Sequence, residues 1–445
     1  MSEDSDAVSP QAKSSADIRS IFRRIGRNAG KLFGGRMVFG LLNLGSSILA
    51  VRAVGLENFG VIVLLQAYVR LISGLLKFRS WAAVTKFGAD ALQAGRNDDF
   101  RRLIGFTLRL DVLSLTTSVI LAMLLAPWAS SWLGWSSDVV GYAIWFTLTI
   151  PFITAATPTG MMRLFDRFEV LVQQHALNAI IRFIGVLIIF LAALDHVTLI
   201  FVYMAGMILS GLYLWGVAFH EARTRGLLPR LWGRWSTLSA GFPKIWRFVV
   251  VTNLTSMMDT VLIHATVLVV GGMLGPTAAG LFGVVKQLTE AMNRSTTLLG
   301  HIVFPEFAWL EAQGDRKAIR RLLWRMLVVS AAVLAVLCVI LTFASEQIML
   351  IFTKEAVVAA PLLVAMGIGA ALVAMGFALE PAILTVRKER ALLIVSVSVT
   401  LLFCAMLYFF ILQFGLLGAG IAIAARQGLL FLSRVYSVRS VFVSS

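Results

Sequence analysis

Apolar runs of about 20 residues recur from one end of the chain to the other, divided by short polar stretches. At 1.5 Å per helical residue, a run of that length crosses a hydrocarbon core of about 30 Å. Backbone groups inside lipid must be satisfied within the crossing segment, so continuous apolar runs predict helices. The pattern places spans one to six at 33–54, 59–79, 103–126, 139–161, 172–193 and 197–219. Spans seven to twelve fall at 246–273, 278–304, 322–344, 357–386, 391–412 and 415–436. An even number returns both termini to one side.

The two sets of six echo each other. The turn Ala53-Val54-Gly55-Leu56-Glu57-Asn58-Phe59-Gly60 is matched by Met273-Leu274-Gly275-Pro276-Thr277-Ala278-Ala279-Gly280, with the same glycine spacing. Gly95 to Leu103 is answered by Gly314 to Leu322, and Pro158 to Arg167 by Pro381 to Arg390. One six-span module used twice, at an offset of about 220 residues, accounts for all three pairs.

Charge tests the span count. Segments on the N-terminal side of the alternation hold 28 basic residues, whereas those on the opposite side hold Lys354 alone. A helix missed or added in mid-chain would scramble that bias, which places both termini in the cytoplasm. Composition agrees: 59% of residues are hydrophobic, 14% are charged, and the mean hydropathy is +0.86. The formal charge of +16 resides in loops, so topology explains it without nucleic acid.

Residues 1–31 read as a disordered, then amphipathic cytoplasmic lead, with no small-residue cleavage site to mark a signal peptide. Residues 32–220 form the first bundle and 246–438 the second, leaving a short tail at 439–445. The linker 221–245 alternates Arg with Trp232 and Trp235, ending against Trp246, and reads as an amphipathic segment on the inner membrane surface. Trp128, Trp132 and Trp135 mark an aromatic belt on the outer side. Cys338 and Cys404 lie in separate apolar runs, where they read as buried hydrophobes. No metal-ligand spacing, nucleophile elbow or phosphate loop is present, so neither catalytic residue, metal nor cofactor is expected. Outer loops of a dozen residues at most give an enzyme no room for chemistry.

The chain resembles polysaccharide-biosynthesis flippases of the Wzx type, in the superfamily that also holds MATE drug exporters and the lipid II flippase. Arg52 to Gly60 is similar to the family's Arg-x-Leu-Gly-Pro-x-x-Phe-Gly, with Val54 and Leu56 where Leu and Pro are commoner. Leu274 to Phe282 is similar to its Leu-Gly-x4-Gly-x-Tyr, and Phe304-Pro305 precedes a Gly314-Asp315 loop in the same manner. The resemblance implies two parallel six-helix bundles around a central cavity, related by an axis along the membrane normal and working by alternating access. It implies a cargo of undecaprenyl-diphosphate-linked oligosaccharide, bound for O-antigen, capsule or exopolysaccharide, in a bacterial inner membrane. Polysaccharide polymerase and chain-length machinery are partners it admits.

Charges inside spans are expensive, so each is a site hypothesis. Lys77, Arg79 and Arg109 lie near cytoplasmic span ends, where long side chains snorkel. Arg36, Arg52, Arg70, Arg182, Lys286, Arg294 and Arg426 are the cations expected to line the cavity. Arginine suits a diphosphate because its planar donors match phosphate oxygens and its charge does not titrate away. Lys286, Glu290 and Arg294 share one helix face at i, i+4, i+8, so Glu290 alternatively neutralises its own neighbours. Asp259, His264 and Glu290 are candidates for ion coupling, with Asp259 otherwise a packing partner of some Arg. A MATE-like cation antiporter is the alternative reading; it calls for acidic groups in the cavity.

Overall fold

The computed structural model describes residues 10–230, 235, 241–313, 316–379 and 389–442. Pro381, most of the linker tip, and the side chains of Arg36, Asp259, Arg294 and Pro305 lie outside the described residues. Among those described, the chain is helical throughout and forms no strand.

Among the described residues, nine helices are long and apolar enough to cross a bilayer. Three of them, Val38–Leu76, Thr260–Asn293 and Val395–Ser437, are interrupted by one non-helical glycine each. These are Gly55 (φ 82°, ψ 167°), Gly275 (φ 87°, ψ 173°) and Gly415 (φ 56°, ψ −135°). Positive φ is cheap for glycine and strained for other L-residues, so the sequence marks each break. Unbroken, Val38–Leu76 would run about 58 Å, nearly twice the hydrocarbon thickness. Past Gly415 the chain doubles back, because a Cβ on Gly418 would sit 1.9 Å from the Phe410 carbonyl oxygen. With each broken helix taken as two crossings, the twelve expected spans are all accounted for.

The repeat is visible as geometry. Gly55 and Gly275 share one backbone conformation. A Cβ on Gly60 would fall 1.8 Å from the Pro276 carbonyl oxygen, and one on Gly280 would fall 2.6 Å from the Leu56 carbonyl oxygen. Offset by 220, these are the same contact made twice. The two first hairpins therefore meet tip to tip on the same side of the membrane, which requires parallel halves.

One large core runs across both halves, from Ile62, Leu64 and Leu65 to Val267, Val270, Phe282 and Val285. Large apolar residues such as Leu124, Leu191 and Phe343 face outward, as a lipid-bathed surface requires. Span four is broken, running Ser137–Phe146, a 3-10 turn at Thr147–Thr149, Ile150–Ile153 and Ala156–Leu164. Pro151 sits at the start of the third piece, where its missing N–H costs least. Beyond span two a further helix, Ser80–Gln93, packs Ala83, Val84 and Ala91 into a second cluster with Phe100 and Phe106. Periodicity in the apolar runs alone did not foretell it.

The linker is strapped to the first half. The Arg230 amide donates to the Arg101 carbonyl at 3.0 Å, and Arg101 Nε donates to the Leu228 carbonyl at 3.0 Å. Phe242 meets Phe87, while Trp235 and Trp246 both meet Phe106 edge-on. Trp235 and Trp246, expected on the membrane surface, thus also serve as packing contacts within the protein.

Candidate functional site

Polar side chains from both halves converge near the middle of the spans. On span one, Ser47 Oγ lies 2.7 Å from Gln287 Oε1 of span eight, a direct hydrogen bond between halves. Asn43, one turn earlier, accepts from Arg182 Nη1 of span five at 3.3 Å. The Arg182 guanidinium lies 4.1 Å from the centre of the Tyr203 ring on span six, a cation–π contact. Gly206 makes room for it: a Cβ there would approach Arg182 Cγ to 3.1 Å and Asn178 Oδ1 to 3.0 Å.

Arg70 of span two is exposed although the three residues before it are buried. It stands within electrostatic reach of Arg182 and Glu290, and His264 stands within reach of Lys286 and Arg70. Charged groups of both halves thus lie around it. Lys286 Nζ lies 3.8 Å from Glu290 Oε1 and donates to the Ile263 carbonyl at 3.2 Å. The pairing that the i, i+4 spacing allows is therefore present. Arg70, Arg182, Lys286, Glu290 and His264 form one cluster in which positive charge exceeds negative.

Three buried polar atoms beside it, Arg182 Nε, Asn178 Oδ1 and Tyr203 Oη, have no hydrogen-bond partner among the described residues. Each unmet group costs about 1–3 kcal/mol, so their adjacency needs a physical reason.

Arg52 has other partners. Its Nη2 donates to the Ile351 carbonyl at 2.6 Å and its Nε to the Phe352 carbonyl at 3.2 Å, just past the C-terminal end of span nine. Arg426 of span twelve lies 5.7 Å from the Phe403 ring centre on span eleven. The second half therefore also places an arginine over an aromatic ring.

Asp111 went unnoticed in the sequence because it is a lone carboxylate in an apolar run. It is buried, accepts from Ser80 Oγ at 2.5 Å and from the Thr157 amide at 2.8 Å, and lies within electrostatic reach of Lys77. It joins the non-helical step at 77–79 to the restart of span four at Ala156. The charge of Lys77 is thus partly balanced inside the protein. Among the described residues no group of three or more His, Cys, Asp or Glu is placed to hold a metal.

Comparison with known proteins fits this architecture. The family described as "Polysaccharide biosynthesis protein" matches residues 25–311. Inner membrane protein YghQ of Escherichia coli (strain K12) is 28% identical over 295 residues, covering 66% of this chain and 83% of that one. Among solved structures, lipid II flippase MurJ in an inward closed conformation superposes with a TM-score of 0.70 at 13% identity, over 92% of this chain and 87% of that one. An inward-facing MATE multidrug transporter gives 0.65 at 13% identity, over 91% and 95%. The structural likenesses establish a two-repeat transporter fold. With the profile covering more than half of its length, this multi-pass membrane chain belongs to the polysaccharide biosynthesis protein family.

Proposed function

We propose that the protein is a flippase that carries a polyprenyl-diphosphate-linked oligosaccharide from the cytoplasmic to the outer leaflet of a bacterial inner membrane. Both termini stay in the cytoplasm and the two halves alternate access to the space between them. The observation that carries this reading is the cationic cluster at mid-depth, Arg70, Arg182 and Lys286 against Glu290. A diphosphate leaving water needs fixed donors and positive charge, and guanidinium groups supply both. The unmet Asn178 and Tyr203 atoms beside Arg182 suit the hydroxyls of a sugar. The name of YghQ supports the inner membrane. Tail and headgroup part company here: the polyprenyl chain stays in lipid while the polar head passes between the halves. An organic-cation antiporter is disfavoured because such cargo would meet net repulsion at this cluster.

The test is a deletion strain complemented with wild type, Arg70→Ala or Arg182→Ala. Surface polymer and leaflet-resolved lipid-linked intermediates are measured, with membrane insertion checked for each variant. Intermediates should accumulate on the cytoplasmic leaflet in the deletion and in both variants. Normal polymer with lowered tolerance of toxic cations would overturn the flippase reading and favour the antiporter.

A further inference from the structure

We infer that Arg52 is an outer-gate latch that holds the two halves together on the side away from the cytoplasm. The last carbonyls of a helix lack intrahelical donors and carry the negative end of its dipole. Span nine ends with Leu350, and the next two carbonyls, Ile351 and Phe352, both point their oxygens at the one guanidinium of Arg52. The donor belongs to the first half and the acceptors to the second, about 300 residues later. On the first hairpin, the residues of the tip-to-tip contact, Leu56 against Gly280 and Gly60 against Pro276, follow Arg52 by four and eight positions. All of these elements fall on the outer side by the loop charges. Neither contact survives separation of the outer ends, so both must break when that side opens.

Two features make this a latch rather than a permanent staple. The Arg52 side chain is exposed, so water replaces its bonds when they break. Its partners are main-chain carbonyls, which impose no side-chain charge that would remain stranded. An arginine is required because two neighbouring oxygens are met by one planar fork, which an ammonium cannot reproduce. The inference rests on alternating access in the reading above, but not on the cargo.

The experiment reads distance, so it does not depend on transport. Cys338→Ser and Cys404→Ser remove the native thiols, and spin labels are placed at Glu57→Cys and Glu355→Cys, two exposed outer positions on opposite halves. In cargo-free nanodiscs the parent should show a dominant short-distance population. Arg52→Gln should raise the long-distance population roughly tenfold, as expected for loss of a charge-assisted hydrogen bond. Arg52→Lys should fall between the two, and elution profile and melting should confirm that both variants fold. Unchanged distances in Arg52→Gln would overturn the latch. If transport falls while distances stay unchanged, Arg52 contacts cargo and the latch is likewise refuted.

Discussion

At the residue scale, the arrangement of Arg182 turns on three neighbours: Asn43 holds one end, Tyr203 lies beneath it, and Gly206 leaves it space. Tyr203→Phe keeps the ring, whereas Tyr203→Leu removes it, at a cost of about 0.5–2 kcal/mol in cation–π attraction. In a leaflet-resolved flipping assay, Tyr203→Leu should therefore be slower than Tyr203→Phe; equal rates would show that the ring does not hold the arginine for transport. Gly206→Leu should be worse than either, since its side chain would fill the volume of the Arg182 stem. The sequence made Arg70 and Arg182 legible because a charge in an apolar run is conspicuous. It did not reveal Asn43, Asn178 or Tyr203, which are ordinary residues until folding sets them against an arginine 4 to 139 positions away.

At the scale of elements, broken helices need substitutes for lost backbone bonds, and Asp111 is one. Asp111→Ala leaves the buried Thr157 amide without its acceptor and should destabilise the protein by about 3 kcal/mol, read as a lower melting temperature in detergent. Asp111→Asn retains an acceptor oxygen and should lose less. Equal losses would show that charge near Lys77, and not the hydrogen bonds, is what matters. Span six starts with a simpler device: Asp195 accepts from the Thr198 hydroxyl at 2.6 Å and its amide at 3.2 Å. Those bonds hold the carboxylate below its usual range, with the hydroxyl contributing most. A depressed value means the stabilisation is present at neutral pH and fades as pH falls through that value. The melting difference between wild type and Asp195→Ala should accordingly vanish in acid; a difference that persists would deny the carboxylate its capping role.

For the whole molecule, the span count and the parallel repeat were legible because bilayer thickness and glycine turns are local constraints. The helix Ser80–Gln93 and the strapped linker were not, since both owe their place to aromatic packing on the first half. Topology has its own test in a chain freed of Cys338 and Cys404. A cysteine at Lys354 should react with an impermeant maleimide in intact spheroplasts, and one at Arg223 only after lysis. The reverse pattern would invert the orientation.

The paired contact of Gly60 with Pro276 and of Gly280 with Leu56 has an evolutionary consequence. A surface that meets its own counterpart in this way is self-complementary, the kind of interface two copies of one chain form about a twofold axis. A single six-span ancestor carrying that turn already possessed both sides of the joint, so duplication and fusion required no new surface there. Divergence was then free to act at depth, where Arg70 of one half corresponds to Glu290 of the other. The symmetry survives where the halves touch at their hairpin tips and is lost at mid-depth.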